Sequence, residues 1–420
     1  MTALESSSAP VAAAWTCPFC PLLCDRFAVV GGPSGWALQG SDCPRAHHAL
    51  ARFDALALPA AQPSIAGAAC ALEDAVDAAA RVLAASRQPL FGGLGTDGAG
   101  ARALYPLACR TGAICDPAGG AALFQGLRAL QDRGGFTATL AEVRTRADLI
   151  VCVGSLPSVR YPEFLRRCGV GEGGTAQIVL LQPSTGGPQD VAPPGIESIR
   201  VDGDLFDLVA MLAACVADRE VGGAGGPLVA LAQRLHESRY AVLAYETAQL
   251  PAHGALIVEA VNRTVGTLNQ RTRAAALPLG GGDGASTVNA VFTWLSGLPL
   301  RTRAAPAGLE HEPLRFDAQR LLADGAVDAL LWIASFGTEP APPASALPRI
   351  VLGHPVFEAA SRSTGCIFIP VATPGVGAAG HLFRTDGSVL MPLRALRDDG
   401  LPTVAEVLRR IALALPEVSA

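Results

Sequence analysis

The sequence predicts an α/β fold with Rossmann-like parallel sheets and a small N-terminal domain rich in cysteine. Short runs of consecutive apolar residues recur along the chain, and such runs suit parallel strands that are buried on both faces. Stretches with helical spacing of apolar residues lie between many of them, which is the pattern of βαβ units. Four cysteines close to the N-terminus predict the additional small domain.

The N-terminal region divides into a tail and the cysteine domain. Residues 1–14 are rich in Ala and Ser and predict a flexible tail. Residues 15–60 hold the four cysteines and two short β-like runs, "RFAVV" and "GWALQ". The segment "PAAQPS" at residues 59–64 then predicts a linker, because Pro-rich polar segments favour loops.

A βαβ unit follows the linker. The stretch "LEDAVDAAARVLAAS" places Leu72, Val76, Ala79 and Leu83 on one helical face. "PLFGGLG" predicts a buried strand, "ARALYPLACRTG" a helix that ends at Gly112, and "AICD" the next strand.

Further buried strands and a closing helix complete the prediction. The strands are "ADLIVCVGS", "AQIVLLQPS", "YAVLAYE", "VDALLWIAS", "RIVLGHP" and "CIFIPVA". In "PTVAEVLRRIALAL", Thr403 and Glu406 predict a capping box, and the core-facing positions are Val404, Val407, Leu408, Ile411 and Leu415. We predict a first α/β domain from residues 61–127 plus 236–420 and a second from residues 128–235.

Composition excludes several classes of function. The net charge is −5 and no basic stripe is present, so the sequence does not predict nucleic-acid binding. The sequence has no uninterrupted run of 18 apolar residues, so it does not predict a membrane span. Its first residues lack the positively charged segment of a signal peptide. We therefore expect a cytoplasmic protein, in which clustered cysteines bind metal more often than they form disulfides.

The clustered cysteines predict a metal site. Cys17, Cys20 and Cys24 are spaced C-x2-C-x3-C, and Cys43 follows after eighteen residues. Four thiolates are the ligand set of a [4Fe–4S] cluster. A four-thiolate zinc site and an empty relic loop are the alternatives, although zinc sites more often have C-x2-C pairs at both ends.

Ligands of parallel α/β sheets bind beyond the carboxyl ends of the strands, which directs attention to three loops at 92–100, 153–163 and 278–287. The first, "GGLGTDGAG", has the composition of a phosphate-binding turn but also that of a plain strand-to-helix turn. The segment "GLEHEP", with Glu310, His311 and Glu312, predicts a solvated loop.

Several stretches resemble the B subunit of formylmethanofuran dehydrogenase, in the molybdopterin oxidoreductase family related to formate dehydrogenase. "TCPFCPLLCDRFAV" with "CPRAH" resembles the start of that polypeptide. Later parts of the family resemble "GGFTATLAEVRTRADLIVCVGSLP", "LNQRTRAAALPLGGGDGASTVNAVFTWLSGLPL" and "GVGAAGHLFRTDGSVLMPLRAL". The resemblance covers most of the chain and implies sheets of the molybdopterin oxidoreductase type.

The resemblance also implies which redox groups to look for. The family holds molybdenum or tungsten on a bis-pterin guanine dinucleotide, with a cysteine or selenocysteine ligand, a following histidine and a later arginine. These positions fall at Gly98, Ala99 and Gly280 in this chain. Glycine offers a soft metal no donor atom, so we expect the molybdenum or tungsten cofactor to be absent.

A related complex in methylotrophic bacteria implies the function. Its homologous subunits form a formyltransferase/hydrolase that takes a formyl group from formyl-tetrahydromethanopterin to a methanofuran-type carrier and releases formate. We expect this chain to be a catalytically silent scaffold that accompanies a formyltransferase subunit, an amidohydrolase-like zinc hydrolase subunit and one further subunit. The alternatives are an active molybdenum or tungsten formylmethanofuran dehydrogenase and a module that uses only the four-cysteine site.

Overall fold

The computed structural model describes residues 13–32, 35–53, 61–185, 187, 189–222, 226–337, 341–357 and 364–417. Its strands are β1 Ala13–Trp15, β2 Phe27–Gly32, β3 Gly35–Gln39, β4 Ser64–Ile65, β5 Ala68–Ala69, β6 Pro89–Gly95, β7 Ile114–Pro117, β8 Leu149–Val153, β9 Gln177–Pro183, β10 Glu197–Val201, β11 Ala241–Glu246, β12 Ala274–Leu279, β13 Thr302–Ala305, β14 Gly308–His311, β15 Ala329–Ala334, β16 Arg349–Gly353, β17 Cys366–Pro370, β18 Gly380–Phe383 and β19 Leu390–Leu393. Its α-helices are α1 Pro44–Ala51, α2 Leu72–Ala85, α3 Gly98–Thr111, α4 Gly120–Arg133, α5 Leu140–Arg146, α6 Phe164–Arg167, α7 Leu205–Val216, α8 Gly226–Glu237, α9 Gly254–Leu268, α10 Ala285–Ser296, α11 Ala318–Ala323 and α12 Val404–Ala414.

The chain folds into two compact units. The first contains residues 1–118, 283–382 and 391–420, and the second contains residues 119–282 and 383–390. The return to the first unit therefore comes later than the predicted boundary at residue 236. The reason is strand pairing, since β11 and β12 join the sheet of β8 and not the sheet of β6.

The sheet of the first unit has the order β5-β4-β17-β16-β15-β6-β7. Its five strands from β17 to β7 are parallel, and β4 pairs antiparallel with β17 at one side. Strands β6 and β7 come first along the chain, and β15 later pairs with the other side of β6. The direction of winding changes between β6 and β15, and in such folds this is where ligands bind.

The second unit has a five-stranded parallel sheet with the order β10-β9-β8-β11-β12. Its core is formed by the apolar strand residues and the inner faces of α7, α8 and α9. The winding reverses between β8 and β11. Both parallel sheets confirm the predicted α/β class.

The helices form where the sequence predicts them. Gly112 ends α3 in the left-handed conformation with φ +64°, which glycine adopts without steric cost. The capping box of Thr403 and Glu406 begins α12, and its predicted core positions are buried. In α2, Val76, Ala79 and Leu83 are buried and Leu72 is partly exposed.

The N-terminal part of the first unit is a small antiparallel sheet, β1-β2-β3, followed by α1. Of the predicted tail, residues 1–12 lie outside the described residues, whereas Ala13 and Ala14 begin β1. The predicted linker lies partly outside them too. None of the helices in the described ranges is long and apolar enough to cross a membrane.

Candidate functional site

Three of the four clustered cysteines lie on the connection between β1 and β2. The N–H of Cys17 donates to the carbonyl oxygen of Cys24 at 2.9 Å, and the N–H of Leu23 donates to that of Cys20 at 3.1 Å. Leu23 adopts φ +42°, so the turn after Cys20 is tight. The loop closes on itself, and the three cysteines are each 7% exposed or less.

The fourth cysteine reaches the same region from the start of α1. Cys43 is 6% exposed and immediately precedes the helix, where its carbonyl oxygen accepts the N–H of His47 at 3.1 Å. Its own N–H donates to Ser41 Oγ at 3.0 Å.

The four thiols act on one another electrostatically. Burial raises the pKa of Cys17 well above its ordinary value, and the neighbouring Cys20, Cys24 and Cys43 raise it further. Burial raises the pKa of Cys20 to about 11, against the opposing effects of the Leu22 N–H and the Arg45 guanidinium. Such thiols keep their protons in the bare chain, so a metal site here would release protons on binding.

The backbone around these sulfurs suits an iron–sulfur cluster. The backbone N–H of Phe19 acts to lower the pKa of Cys17, and those of Leu22 and Leu23 act to lower the pKa of Cys20, in each case against the larger effect of burial. Hydrogen bonds to cysteine sulfur stabilise and tune such clusters. Arg45, whose Nε donates to the carbonyl oxygen of Phe19 at 2.7 Å, adds positive charge beside an anionic group.

A single metal ion and an iron–sulfur cluster require different spacings between their thiolate ligands. Four thiolates on one zinc stand about 2.3 Å from the ion and hence about 4 Å from one another, whereas a cluster places its own iron and sulfide between them. Across the described ranges, no group of three or more His, Cys, Asp or Glu side chains is arranged to hold one metal ion. The ligand set of Cys17, Cys20, Cys24 and Cys43 stays a prediction.

Aromatic side chains enclose the cysteine loop. Trp15 and Phe19 have ring centroids 6.0 Å apart, and Phe19 stacks on Phe53 at 5.8 Å. The indole Nε1 of Trp15 donates to the carbonyl oxygen of Gly375 at 2.7 Å, which ties the loop to the rest of the first unit. This shell excludes water from the sulfurs.

The predicted metal-ligand position lies at the carboxyl end of β6. Gly98 is the first residue of α3, after the N-cap Asp97, whose carboxylate accepts the N–H of Gly100 at 3.0 Å. A Cβ atom added at Gly98 would meet its nearest neighbour, the His381 carbonyl oxygen, at 3.7 Å. Packing therefore does not require glycine at this position.

We expect Gly98→Cys to leave the free energy of unfolding within about 1 kcal/mol of the wild type, as for substitutions at unstrained, partly exposed sites. The matched control is Gly100→Cys, because a Cβ there would overlap Thr96 Oγ1. That overpacking is expected to cost about 1–3 kcal/mol or more. Urea denaturation followed by circular dichroism measures both variants. Equal losses would contradict the difference in packing.

Ala99 and Gly280, which stand where the related family has its histidine and arginine, have different surroundings. Ala99 is exposed and lines a groove between α3 and α12 together with Arg102 and Arg409. Gly280 follows β12 and donates its N–H to Thr385 Oγ1 at 3.2 Å. A Cβ at Gly280 would lie 2.8 Å from Thr247 Oγ1, so a longer side chain would require that hydroxyl to move.

The glycine-rich run at the end of β6 is explained by packing. A Cβ at Gly92 would lie 2.9 Å from the Trp332 ring on the neighbouring β15, and one at Gly93 would lie 2.6 Å from the Ile333 carbonyl oxygen. These glycines make room for a tryptophan on the adjacent strand. This favours the plain strand-to-helix turn among the two interpretations of this loop.

A polar cluster that sequence reasoning missed stands where the winding of the second unit reverses. Glu246, at the end of β11, accepts two hydrogen bonds from the Arg160 guanidinium at 2.6 and 2.8 Å. It also accepts one from Ser155 Oγ at 2.6 Å, and Arg160 further donates to Asp190 at 2.8 Å. The one sequence signal is an acidic residue closing an apolar strand, "YAVLAYE".

Comparison with known proteins places the chain among subunits of one-carbon enzymes. It is 32% identical over 351 residues, 82% of its length and 95% of the relative's, to the B subunit of formyltransferase/hydrolase complex Fhc of Methylorubrum extorquens. It is 25% identical over 381 residues, with 82% of this chain and 84% of the relative covered, to the B subunit of tungsten-containing formylmethanofuran dehydrogenase 2 of Methanocaldococcus jannaschii. No protein-family model matches the chain.

A solved structure agrees with the first of these relatives. The chain matches one in the crystal structure of the formyltransferase/hydrolase complex FhcABCD from Methylorubrum extorquens in complex with methylofuran. The TM-score is 0.73 at 30% sequence identity, with 83% of this chain and 97% of the other covered. The likeness therefore extends over nearly all of that polypeptide.

Proposed function

Because the chain belongs to the family of the B subunit of the formyltransferase/hydrolase complex, a homologue of the B subunit of formylmethanofuran dehydrogenase, we propose that it fills that place in a cytoplasmic complex of its own. The complex would act in tetrahydromethanopterin-linked one-carbon metabolism and release formate. The observation that carries the proposal is the 32% identity across 95% of the Methylorubrum extorquens relative.

The proposed role is that of a catalytically silent scaffold on a fold of the molybdopterin oxidoreductase type. At the positions where the family has its metal ligand and histidine, this chain has Gly98 and Ala99, which carry no donor atoms. At Gly280 it lacks the guanidinium that would anchor a carboxylate. The residues present therefore do not fit a molybdenum or tungsten pterin group.

The chemistry of the complex would reside in other subunits. The expected partners are a formyltransferase subunit, an amidohydrolase-like zinc hydrolase subunit and one further subunit, with a methanofuran-type carrier bound to the assembly. The Methylorubrum extorquens complex has four subunits and was crystallised with methylofuran, which supports an assembly of this kind. The chain would hold the hydrolase subunit in place.

Cys17, Cys20, Cys24 and Cys43 would hold a [4Fe–4S] cluster, whose place here is structural. Three observations support this assignment: the thiols are buried, backbone N–H groups act to lower the pKa of Cys17 and Cys20, and Arg45 adds positive charge. Such a cluster supplies a covalent cross-link between the β1–β2 connection and the start of α1. Metal binding then contributes to the stability of the N-terminal part of the first unit.

The test is to express the chain with its three expected partner subunits and analyse the purified complex. We expect all four subunits to elute together and native mass spectrometry to give a defined stoichiometry. We expect elemental analysis to find tungsten and molybdenum far below one atom per chain. The complex should release formate from formyl-tetrahydromethanopterin.

Two results would overturn the proposal. Tungsten or molybdenum near one atom per chain, with an extractable pterin, would favour an active redox enzyme like the Methanocaldococcus jannaschii relative. A chain that elutes alone, away from the other three subunits, would contradict the scaffold role.

A further inference from the structure

His354 presents a buried hydrogen-bond donor that has no acceptor. The residue follows β16 at the carboxyl edge of the first unit's sheet and is 1% exposed. The N–H of Val356 donates to its Nδ1 at 3.2 Å, so the proton of the neutral ring lies on Nε2. No group in the part of the chain that the structure describes hydrogen-bonds this Nε2.

The ring stays neutral near physiological pH. Burial, helped by the positive charges of Arg52 and Arg397, lowers the pKa of His354 to about 4. Two carboxyls face the same arginines: Arg52 acts on Asp283 and Arg397 acts on Asp399, while burial raises the pKa of each. Asp399 accepts the N–H of Leu401 at 3.3 Å.

Arg397 supplies a second buried hydrogen-bond donor without an acceptor among the described residues. It lies beside Phe53, whose ring also contacts His354. Its Nη1 donates to the carbonyl oxygen of Phe53 at 2.8 Å, and the Phe53 ring meets the His354 ring edge-on at 4.7 Å between centroids. The Nε of Arg397 is buried and lacks an acceptor within the described ranges. Two donors around Phe53 are therefore left without an acceptor.

Arg52 adds positive charge at this edge of the sheet. A Cβ added at Gly337, three residues after β15, would lie 2.9 Å from Arg52 Nη1, so the guanidinium packs against that backbone. Each buried donor without a partner costs about 1–3 kcal/mol, and native structures rarely leave one unexplained. Beside two guanidinium groups, an anion satisfies such donors better than a neutral water does.

We propose that Arg397 and His354, next to Arg52, form a binding site for a small oxyanion of the carboxylate or phosphate class. The anion would accept hydrogen bonds from Arg397 Nε and His354 Nε2. The site belongs wholly to the first unit. It uses none of the cysteines and none of the three positions Gly98, Ala99 and Gly280.

The test is thermal unfolding of the full chain in sodium formate, sodium phosphate or sodium chloride at equal ionic strength. We expect a saturable rise of the midpoint with formate or phosphate that exceeds the rise with chloride. A charge-assisted hydrogen bond contributes about 1.5–3 kcal/mol, so Arg397→Met should weaken the apparent affinity at least about tenfold. Arg394→Met, which removes an exposed arginine from the same segment, is the matched control and should respond like the wild type.

Two results of these measurements would overturn the anion site. A midpoint that rises equally in all three salts would mean that water fills the site, and it would overturn the proposal. The proposal would equally fail if Arg397→Met kept the full response to the oxyanion. Should Arg397→Met not fold, His354→Phe, which keeps an aromatic ring but removes the Nε2 donor, decides in the same way.

Discussion

Replacing Arg301 with alanine is expected to lower the free energy of unfolding by about 3–5 kcal/mol, the cost of breaking a buried ion pair from one side. Arg301 is 4% exposed at its side chain and donates to both carboxylate oxygens of Asp116, at 2.8 and 3.2 Å. It also donates to Asp317 at 2.6 Å and to the carbonyl oxygen of Pro313 at 2.6 Å. Without it, the 3% exposed carboxyl of Asp116 has lost its positive partner.

The loss should depend on pH in a defined direction. Burial already raises the pKa of Asp116, and Arg301 opposes that rise. In the variant the folded state binds a proton that the unfolded state does not, so stability falls as pH rises above the unfolded pKa. We expect a larger deficit at about pH 8 than at about pH 5.

Urea denaturation measures the effect, and Arg320→Ala is the control. Arg320 pairs with Asp324 at 3.5 Å, and both side chains are more than half exposed. Such surface pairs contribute about 0–1 kcal/mol. A loss in Arg301→Ala no greater than in Arg320→Ala would refute the structural role of this buried network.

Replacing Cys20 with serine is expected to remove iron from the chain and to destabilise the N-terminal part of the first unit. Serine offers a hard oxygen in place of a thiolate and is a poor cluster ligand. Structural metal sites contribute up to about 10–16 kcal/mol to small metal domains, so even a fraction of that exceeds the loss of about 0.5–3 kcal/mol in an ordinary point mutant. Iron analysis, thermal unfolding and amide hydrogen exchange of residues 13–53 measure the change.

The same variant separates structure from catalysis. Formate release by the assembled complex should persist in Cys20→Ser, because the proposed chemistry resides in other subunits. Cys215→Ser is the control, since Cys215 is a buried cysteine of α7 in the second unit and should leave the iron content unchanged. Unchanged iron in Cys20→Ser would exclude this ligand set, and loss of formate release from an intact complex would contradict the silent role.

Much of the fold follows from local pattern. Every predicted apolar run forms a strand, and the ends of α3 and α12 are set by Gly112 and by the capping box of Thr403 and Glu406. These signals act over a few residues and need no distant partner. They can therefore be recognised along the chain.

Other elements could not be recognised this way. Strand β10, "ESIRV", and strand β12, "AAALPL", carry weak strand signals and form because they extend a sheet that already exists. The expected solvated loop at 308–313 is wrong for its first four residues, since Gly308–His311 is β14, paired with β13. Thr302 Oγ1 lies 2.9 Å from His311 Nδ1, a contact that only the hairpin creates.

The candidate sites show the same division. Cysteine spacing predicts one ligand set, because a short loop can bring closely spaced ligands together, and that set stays a prediction. The Arg160–Glu246 cluster and the donors of His354 and Arg397 were not predicted. Their members are 86 and 43 residues apart and meet only at the edges of folded sheets.

The sequence by itself determined the α/β class, most strands, the helix ends and the absence of a donor side chain at positions 98, 99 and 280. Only the tertiary structure decided where the first unit resumes, that glycine at 98 is not required by packing, and which buried polar groups remain unmatched. The physical reason is how far apart along the chain the interacting residues lie. Periodicity and capping depend on neighbours along the chain, whereas strand order, close packing and the pairing of buried charges depend on residues that folding alone brings together.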